Sequence, residues 1–384
     1  MTDRAQTDFR FDLREANGAL GDIGTLLPLA IGAIALAGLS AQQVFMSFGL
    51  FYVATGLIYR LPIPVQPMKA VAALALVSAA TPGSIALAGV LIGVTLLVLG
   101  GSGIIDRIAR FVPQSVLSGL QLGLGLALGW IALGLMADQA IVGAVSLGIA
   151  VGALRLGTHA ALATLVAGVA LGLSIGHPSV PLITAMPETG WQVPIPSASD
   201  LRFSLTDLAL PQLAMTLTNA VFLTTLVARD SFGDRAAHVT PRRLCMTTGA
   251  ANIILAPLGA LPMCHGAGGV AAHHRFGARS GGAPVMLGAA LLLLALLPGD
   301  LQRTALGTIP AATLGALLLV AAIELATSRR LLDARPSCRP VIALTAFATV
   351  FGNPLLGLGA GTLAEIVRKA LIARYLAKRD SVND

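Results

Sequence analysis

Leu61-Pro62-Ile63-Pro64-Val65-Gln66-Pro67-Met68-Lys69-Ala70-Val71-Ala72-Ala73 interrupts an otherwise apolar chain. A degenerate second copy lies far downstream, Leu261-Pro262-Met263-Cys264-His265-Gly266-Ala267-Gly268-Gly269-Val270-Ala271-Ala272. Registering Val71-Ala72-Ala73 on Val270-Ala271-Ala272 sets Gln66 opposite His265 and Lys69 opposite Gly268. Pro64 and Pro67 bias the residues before them away from helix. Ile63 to Gln66 are therefore expected to be extended, with a helix beginning at Pro67 and Gln66 at its cap. Pro262 does the same for the second copy, with His265 at the cap and Gly266 opening the helix. One Pro/Gly-interrupted segment in each half of a membrane chain is the pattern of a transporter with a central site. Extended backbone at membrane depth survives only where protein buries it or where it lines a wet cavity.

Composition supplies the membrane. The 384 residues are 55% hydrophobic and 11% charged, with a mean hydropathy of +0.83. An ordinary soluble domain is roughly 25% charged, so that class is excluded. The chain reads as a single transmembrane transporter domain over 1–384, surrounded by the lipid bilayer. The net charge of +7 reads as topology rather than as a nucleic-acid surface. Asp3, Arg4, Asp8 and Arg10 mix signs before the first span, unlike a cleavable leader, so that span is expected to be retained. Cys245, Cys264 and Cys338 fit no metal spacing and read as packing residues. Adjacent His273 and His274 point in different directions on a helix and read, with Arg275 and Arg279, as a cytoplasmic helix end rather than a metal site. With no Ser/His/Asp arrangement, paired catalytic carboxylates or His-Glu zinc motif, neither an enzyme nor a cofactor is expected.

Breaks at charges, Pro and Gly divide the chain into fourteen segments: 17–38, 41–59, 66–80, 84–100, 114–136, 139–155, 158–176, 207–228, 242–259, 266–280, 283–298, 304–326, 339–352 and 354–374. The connection 177–206, with Pro178, Pro181, Pro187, Pro194 and Pro196, separates a first repeat over 12–176 from a second over 207–376. Seven spans per half insert the second half upside down. The predicted architecture is an all-α polytopic membrane protein of 7+7 inverted repeats, with half-helices 3 and 10 meeting at the midplane. With both termini cytoplasmic, every one of the 25 Lys and Arg except Arg202, Arg303 and Lys69 falls on the inner side or its edge, as the positive-inside rule requires.

In that arrangement the helix from Pro67 runs outward and the helix from Gly266 inward, and their N-termini converge. Free N–H groups and positive dipole ends then suit an anion. Lys69, in the first turn, adds a full charge. A Lys at mid-bilayer costs about 2.5–3.5 kcal/mol on insertion scales, and an anionic substrate would offset that cost. The competing assignment pairs Lys69 with Asp22 or lets it reach the interface. His265 is an oxyanion donor, a proton carrier or a satisfied core imidazole. The first span offers Asn17, Asp22 and Thr25, and its partner in the second half offers Asn219 and Thr224. Each could line the cavity or hydrogen-bond between helices. Glu324 and Glu365 lie beside Arg clusters and read as interfacial ion pairs. The candidate substrate-binding set is Gln66, Met68, Lys69, His265, Gly266, Ala267, Gly268 and Gly269, with Asn17, Thr25, Asn219 and Thr224; Asp22 and His265 are the proton-coupling candidates.

Four segments together resemble the molybdate-transporter family, a relative of the sulfate permeases: Asn17 to Pro28 (NGALGDIGTLLP), Pro64 to Ala70 (PVQPMKA), Ser115 to Leu126 (SVLSGLQLGLGL) and Pro262 to Gly281 (PMCHGAGGVAAHHRFGARSG). His273-His274 departs from the Gln or Tyr common there. The resemblance implies a core domain moving against a gate domain, with molybdate held between the N-termini of the third and tenth helices. Gln66, Lys69, His265 and the Gly266–Gly269 amides match the motifs. It also implies a homodimer paired through the gate, and a chain ending soon after Lys378 without the cytoplasmic STAS domain of the larger relatives.

Three functions are compatible with these residues. One is a molybdate importer of the cytoplasmic membrane, working by alternating access with proton symport. The second is the same fold carrying sulfate, tungstate or another oxyanion, since size alone discriminates weakly. The third is a membrane sensor without transport.

Overall fold

The computed structural model describes residues 9–77, 80–105, 113–157, 160–175, 190–327, 331, 333–352 and 354–383. Pro178, Pro181 and Pro187 of the connection lie outside the described residues, as do Arg4, Arg107, Arg110, Arg329, Arg330 and the side chain of Glu324.

Asp12 accepts a hydrogen bond from the Glu15 N–H at 2.9 Å and starts α1 (Leu13–Leu20). Gly21 and Asp22 interrupt the run before α2 (Ile23–Ala37), so the first predicted span is a broken helix. Then come α3 (Ala41–Tyr59), β1 (Gln66–Pro67), α4 (Lys69–Val77) and α5 (Pro82–Ser102). A second group follows as α6 (Gln114–Ala137), α7 (Ala140–Arg155) and α8 (Ala160–Ile175). The second half opens with α9 (Ala198–Ala236), which takes π-helical turns at Ser204–Ala209 and Thr216–Leu223. It continues through α10 (Pro241–Leu255), β2 (Met263–Cys264), α11 (Ala267–Arg275), α12 (Gly282–Leu296), α13 (Gly299–Gly307), α14 (Ala311–Ala326), α15 (Arg339–Phe351) and α16 (Pro354–Asn383).

Among the described residues, Leu13–Ala37, Ala41–Tyr59, Pro82–Ser102, Gln114–Ala137 and Ala198–Ala236 are long and apolar enough to cross a membrane unaided. Shorter apolar helices include α7, α12 and the body of α14. Large apolar side chains stand outward, among them Trp130 at 80% exposure and Leu173 at 67%, as lipid-facing surfaces do.

The helices fall into two groups. In the first, α3 packs along α12 and α5 along α10; in the second, α6 lies against α14 and α15, α7 against α8, and α15 against α16. Both crossings of the first group are glycine contacts. A Cβ on Gly49 would lie 2.8 Å from the Gly288 carbonyl, and one on Gly93 would lie 2.9 Å from that of Gly249. Backbone approach this close is how helices gain van der Waals contact in lipid.

The structure corrects the sequence reading in four places. The fold is not purely helical, because β1 and β2 pair across the two halves. The two interrupted helices start at Lys69 and Ala267 rather than at Pro67 and Gly266, because strand pairing holds the preceding residues extended. The long connection ends at Ala198, not at 206, because Ser197 and Asp200 form a capping box that starts α9 early. The segment 304–326 is broken between α13 and α14, where Pro310 caps the second piece. The reading of Glu365 as an ion-pair partner matches its contact with Arg368 at 2.6 Å.

Candidate substrate site

β1 and β2 run antiparallel, with Gln66 opposite Cys264 and Pro67 opposite Met263. The Met68 N–H extends the ladder to the Pro262 carbonyl at 2.8 Å. Asn252 of α10 completes it. Its Oδ1 accepts from the Met263 N–H at 3.0 Å, and its Nδ2 donates to the Met263 carbonyl at 2.7 Å. Met68, Pro262 and Met263 thus find backbone partners within the protein, as burial in a membrane demands. Because the strands are antiparallel, α4 and α11 leave from opposite ends of one short ladder, and both N-termini border it.

Within residues 61–70 and 261–270 every residue is buried except two: Lys69, half-buried, and Gly268, exposed. They are the pair that the repeat registration sets opposite each other. A Cβ on Gly268 would meet nothing within 4 Å, so the first turn of α11 is open there. Its neighbours are closed. A Cβ on Gly266 would overlap the Gln66 Oε1, and one on Gly269 would lie 2.6 Å from the Gln66 Nε2 and 2.7 Å from Pro64. Met68 is fully buried, and Ala267 is 6% exposed.

Gln66 is held from its other side. Its Nε2 donates to Asp22 Oδ1, while the Tyr52 hydroxyl donates to Asp22 Oδ2 at 3.1 Å. Asp22, 1% exposed, sits in the break between α1 and α2. Thr25, one turn on, is half-buried, and its N–H donates to the Asp22 carbonyl at 3.0 Å. Asp22, bonded to Gln66 of β1, and Lys69, two residues after that strand, both border the ladder.

His265 is fully buried with both ring nitrogens engaged. Nδ1 lies 2.9 Å from the Pro64 carbonyl and Nε2 lies 3.1 Å from the Thr247 hydroxyl. Tyr59 meets the ring edge-on at 5.7 Å, and Phe51 lies 5.3 Å away. His265 therefore ties the two copies together across 201 residues. His273 does the same one level on, its Nδ1 lying 3.1 Å from the Pro62 carbonyl. It lies in the last turn of α11, at a helix end as the sequence reading had it, and is 0% exposed. A prolyl carbonyl in an extended stretch needs a donor, and the imidazoles provide it.

Three candidates remain. The Asn17 Nδ2 donates to the Phe276 carbonyl at 2.7 Å, at the end of α11 farthest from the open turn, roughly 13 Å along a nine-residue helix. Thr224 is buried and donates to the Asn219 carbonyl of its own helix at 3.0 Å. Asn219 is half-buried in the second π turn of α9, which packs on α11. Sequence reasoning missed Tyr52, Asn252 and Gln212. Each is a polar side chain inside an apolar span, which is the one local signal they carry.

The family described as "Molybdate transporter of MFS superfamily" matches residues 14–128 and 204–325, spans that hold every candidate residue named above. Molybdate transporter 1 of Arabidopsis thaliana is 29% identical over 408 residues, with 94% of this chain and 89% of that protein covered. Molybdate transporter 1 of Chlamydomonas reinhardtii is 28% identical over 480 residues, with 94% and 91% covered. Among solved structures, the transmembrane domain of the cyanobacterial bicarbonate transporter BicA aligns with a TM-score of 0.64 at 16% identity, over 90% of this chain and 96% of that one. The murine Slc26a9 anion transporter in its inward-facing state aligns at 0.68 and 15% identity, over 97% and 70%. At such identities these two likenesses speak to fold alone. The family match covers more than half of the chain and both copies of the interrupted motif: the chain belongs to the molybdate transporter family, and it is a membrane transport protein rather than an enzyme.

Proposed function

We propose that this protein imports molybdate across the cytoplasmic membrane, with the tetrahedral dianion resting between the N-termini of α4 and α11. The observation that carries this reading is the paired opening at Lys69 and Gly268 in two otherwise buried breaks. One contributes an ammonium. The other contributes a helix-start backbone with no side chain in the way, the usual setting for an oxyanion. Gln66, fixed by Asp22, and His265, fixed on Pro64, shape the pocket around them.

The full reading has fourteen spans in two inverted sets of seven, with both termini cytoplasmic. Counted that way, α3 and α5 are the second and fourth spans, and α10 and α12 are their counterparts. The packing of α3 on α12 and of α5 on α10 is then one contact occurring twice, which supports the inversion. The group α1–α5 with α9–α12 acts as core, the other helices act as gate, and access alternates by motion between them. A dianion enters against about 2.3 kcal/mol per charge per 100 mV of inside-negative potential, so proton symport with Asp22 as the carrier belongs to this reading.

Uptake of labelled molybdate by proteoliposomes tests it, with sulfate and tungstate as competitors. Wild-type protein should take up molybdate, and Lys69→Ala should abolish saturable uptake while still inserting. Unchanged affinity in Lys69→Ala would remove the site, stronger competition by sulfate would reassign the cargo, and absence of any flux would return the sensor reading.

A further inference from the structure

Gln212 lies on α9 between its two π-helical turns, 2% exposed. Its Oε1 accepts from the Ala70 N–H at 2.8 Å, and its Nε2 donates to the Thr216 hydroxyl at 2.9 Å. Met215 packs on Ala70 beside it. Ala70 is the second residue of α4, directly after Lys69, so Gln212 caps the half-helix that carries the site's cation, from 142 residues away. No local N-cap side chain is available for that role, because Pro67 and Met68 precede the helix. With the Met68 N–H taken by the Pro262 carbonyl, α4 begins with two of its early amides already engaged. The two half-helices are therefore unequal. α4 contributes the Lys69 side chain, and α11 contributes its open backbone at Gly268.

Given the anion site proposed above, on which this step rests, we infer that Gln212 is a positioning residue for it: a neutral amide that caps α4 and so sets Lys69. Neutrality is the point of the choice. A carboxylate would cap a helix start at least as well, but beside Lys69 it would compete with the incoming dianion for the same ammonium. Thr216 fixes which end of the amide faces α4. Once it accepts from Nε2, Oε1 is left to meet the Ala70 N–H. The π turns at Ser204–Ala209 and Thr216–Leu223 shift the register of α9 on either side of this contact, and such turns recur where a side chain must be aimed.

The test is molybdate uptake by proteoliposomes bearing Gln212→Glu, across external pH, with thermal unfolding in parallel. The variant is expected to keep a wild-type melting profile and to raise KM at least tenfold at neutral pH. Its affinity should return as the pH falls and the new carboxyl protonates. Wild-type KM at every pH would overturn the inference, and so would a loss that no pH restores, which would mark a purely structural cap. Should Gln212→Glu fail to insert, Thr216→Val serves instead. It frees the amide to turn and should raise KM with little change in maximal rate, whereas unaltered KM would overturn the inference. Absence of uptake by the wild type would sink the molybdate reading itself, a different result from a normal wild type with an indifferent Gln212→Glu.

Discussion

The carboxamide of Gln66 is held by the carboxylate of Asp22, 44 residues earlier in the chain, in a pocket closed on its far side by Gly266 and Gly269. One side chain thus reports on three elements: the break in the first helix pair, the first strand and the start of α11. Asp22→Asn keeps the shape but turns an obligate acceptor into a group that also donates. Molybdate uptake should fall at least tenfold, and what remains should no longer respond to an imposed proton gradient. Uptake that still tracks the gradient would remove Asp22 as the coupling residue.

The glycines of α11 separate by position. Gly269→Ala forces a methyl group against Gln66 and Pro64 and is expected to abolish uptake and lower thermal stability. Gly268→Ala meets only open space, so its melting temperature should match the wild type while KM for molybdate rises through crowding of the anion. Equal stability loss in both variants would contradict the open face at Gly268.

Lys69 and His265 should fail differently. His265→Ala strips the buried Pro64 carbonyl of its imidazole partner, while Thr247 keeps Tyr59 and the Arg243 carbonyl. Leaving buried polar groups unpaired costs about 1–3 kcal/mol, visible as a lower melting temperature without ligand. Lys69→Ala should leave that temperature unchanged and instead remove the stabilisation that added molybdate gives. The opposite pattern would exchange the roles of the two residues.

Asn252 is the support for β2. Asn252→Ala leaves both backbone groups of Met263 without the side-chain partner they have in the native protein. A loss of stability of about 1–3 kcal/mol is expected, together with reduced uptake, whereas Asn252→Ser should retain part of both. Wild-type stability in Asn252→Ala would show that the ladder holds itself.

The sequence made the two breaks legible because proline and glycine act on their nearest neighbours. Pro64, Pro67 and Pro262 announce extended backbone wherever the chain folds, and Lys69 is conspicuous in any apolar run. The partners of those breaks leave no such local trace. Gln212 finds Ala70 across 142 residues, His265 finds Pro64 across 201, and His273 finds Pro62 across 211. Nothing in the neighbourhood of any of these residues encodes its partner, so the contacts of His273 and Gln212 could not be read from the chain. The helix starts were misplaced by one or two residues for the same reason. A strand two residues long exists only when its mate is present, and that mate belongs to the other half of the protein.

That short ladder has a consequence for energetics. Gln66 and Cys264 face each other through backbone pairing, so the two half-helices start from one ladder, which sets the spacing of Lys69 from Gly268. In the transport cycle proposed above, a passenger would then meet the same chemical surroundings on arrival and at departure. A carrier working that way would have no built-in preference for one shore, and the sense of net flow would be dictated by concentration, voltage and any companion ion.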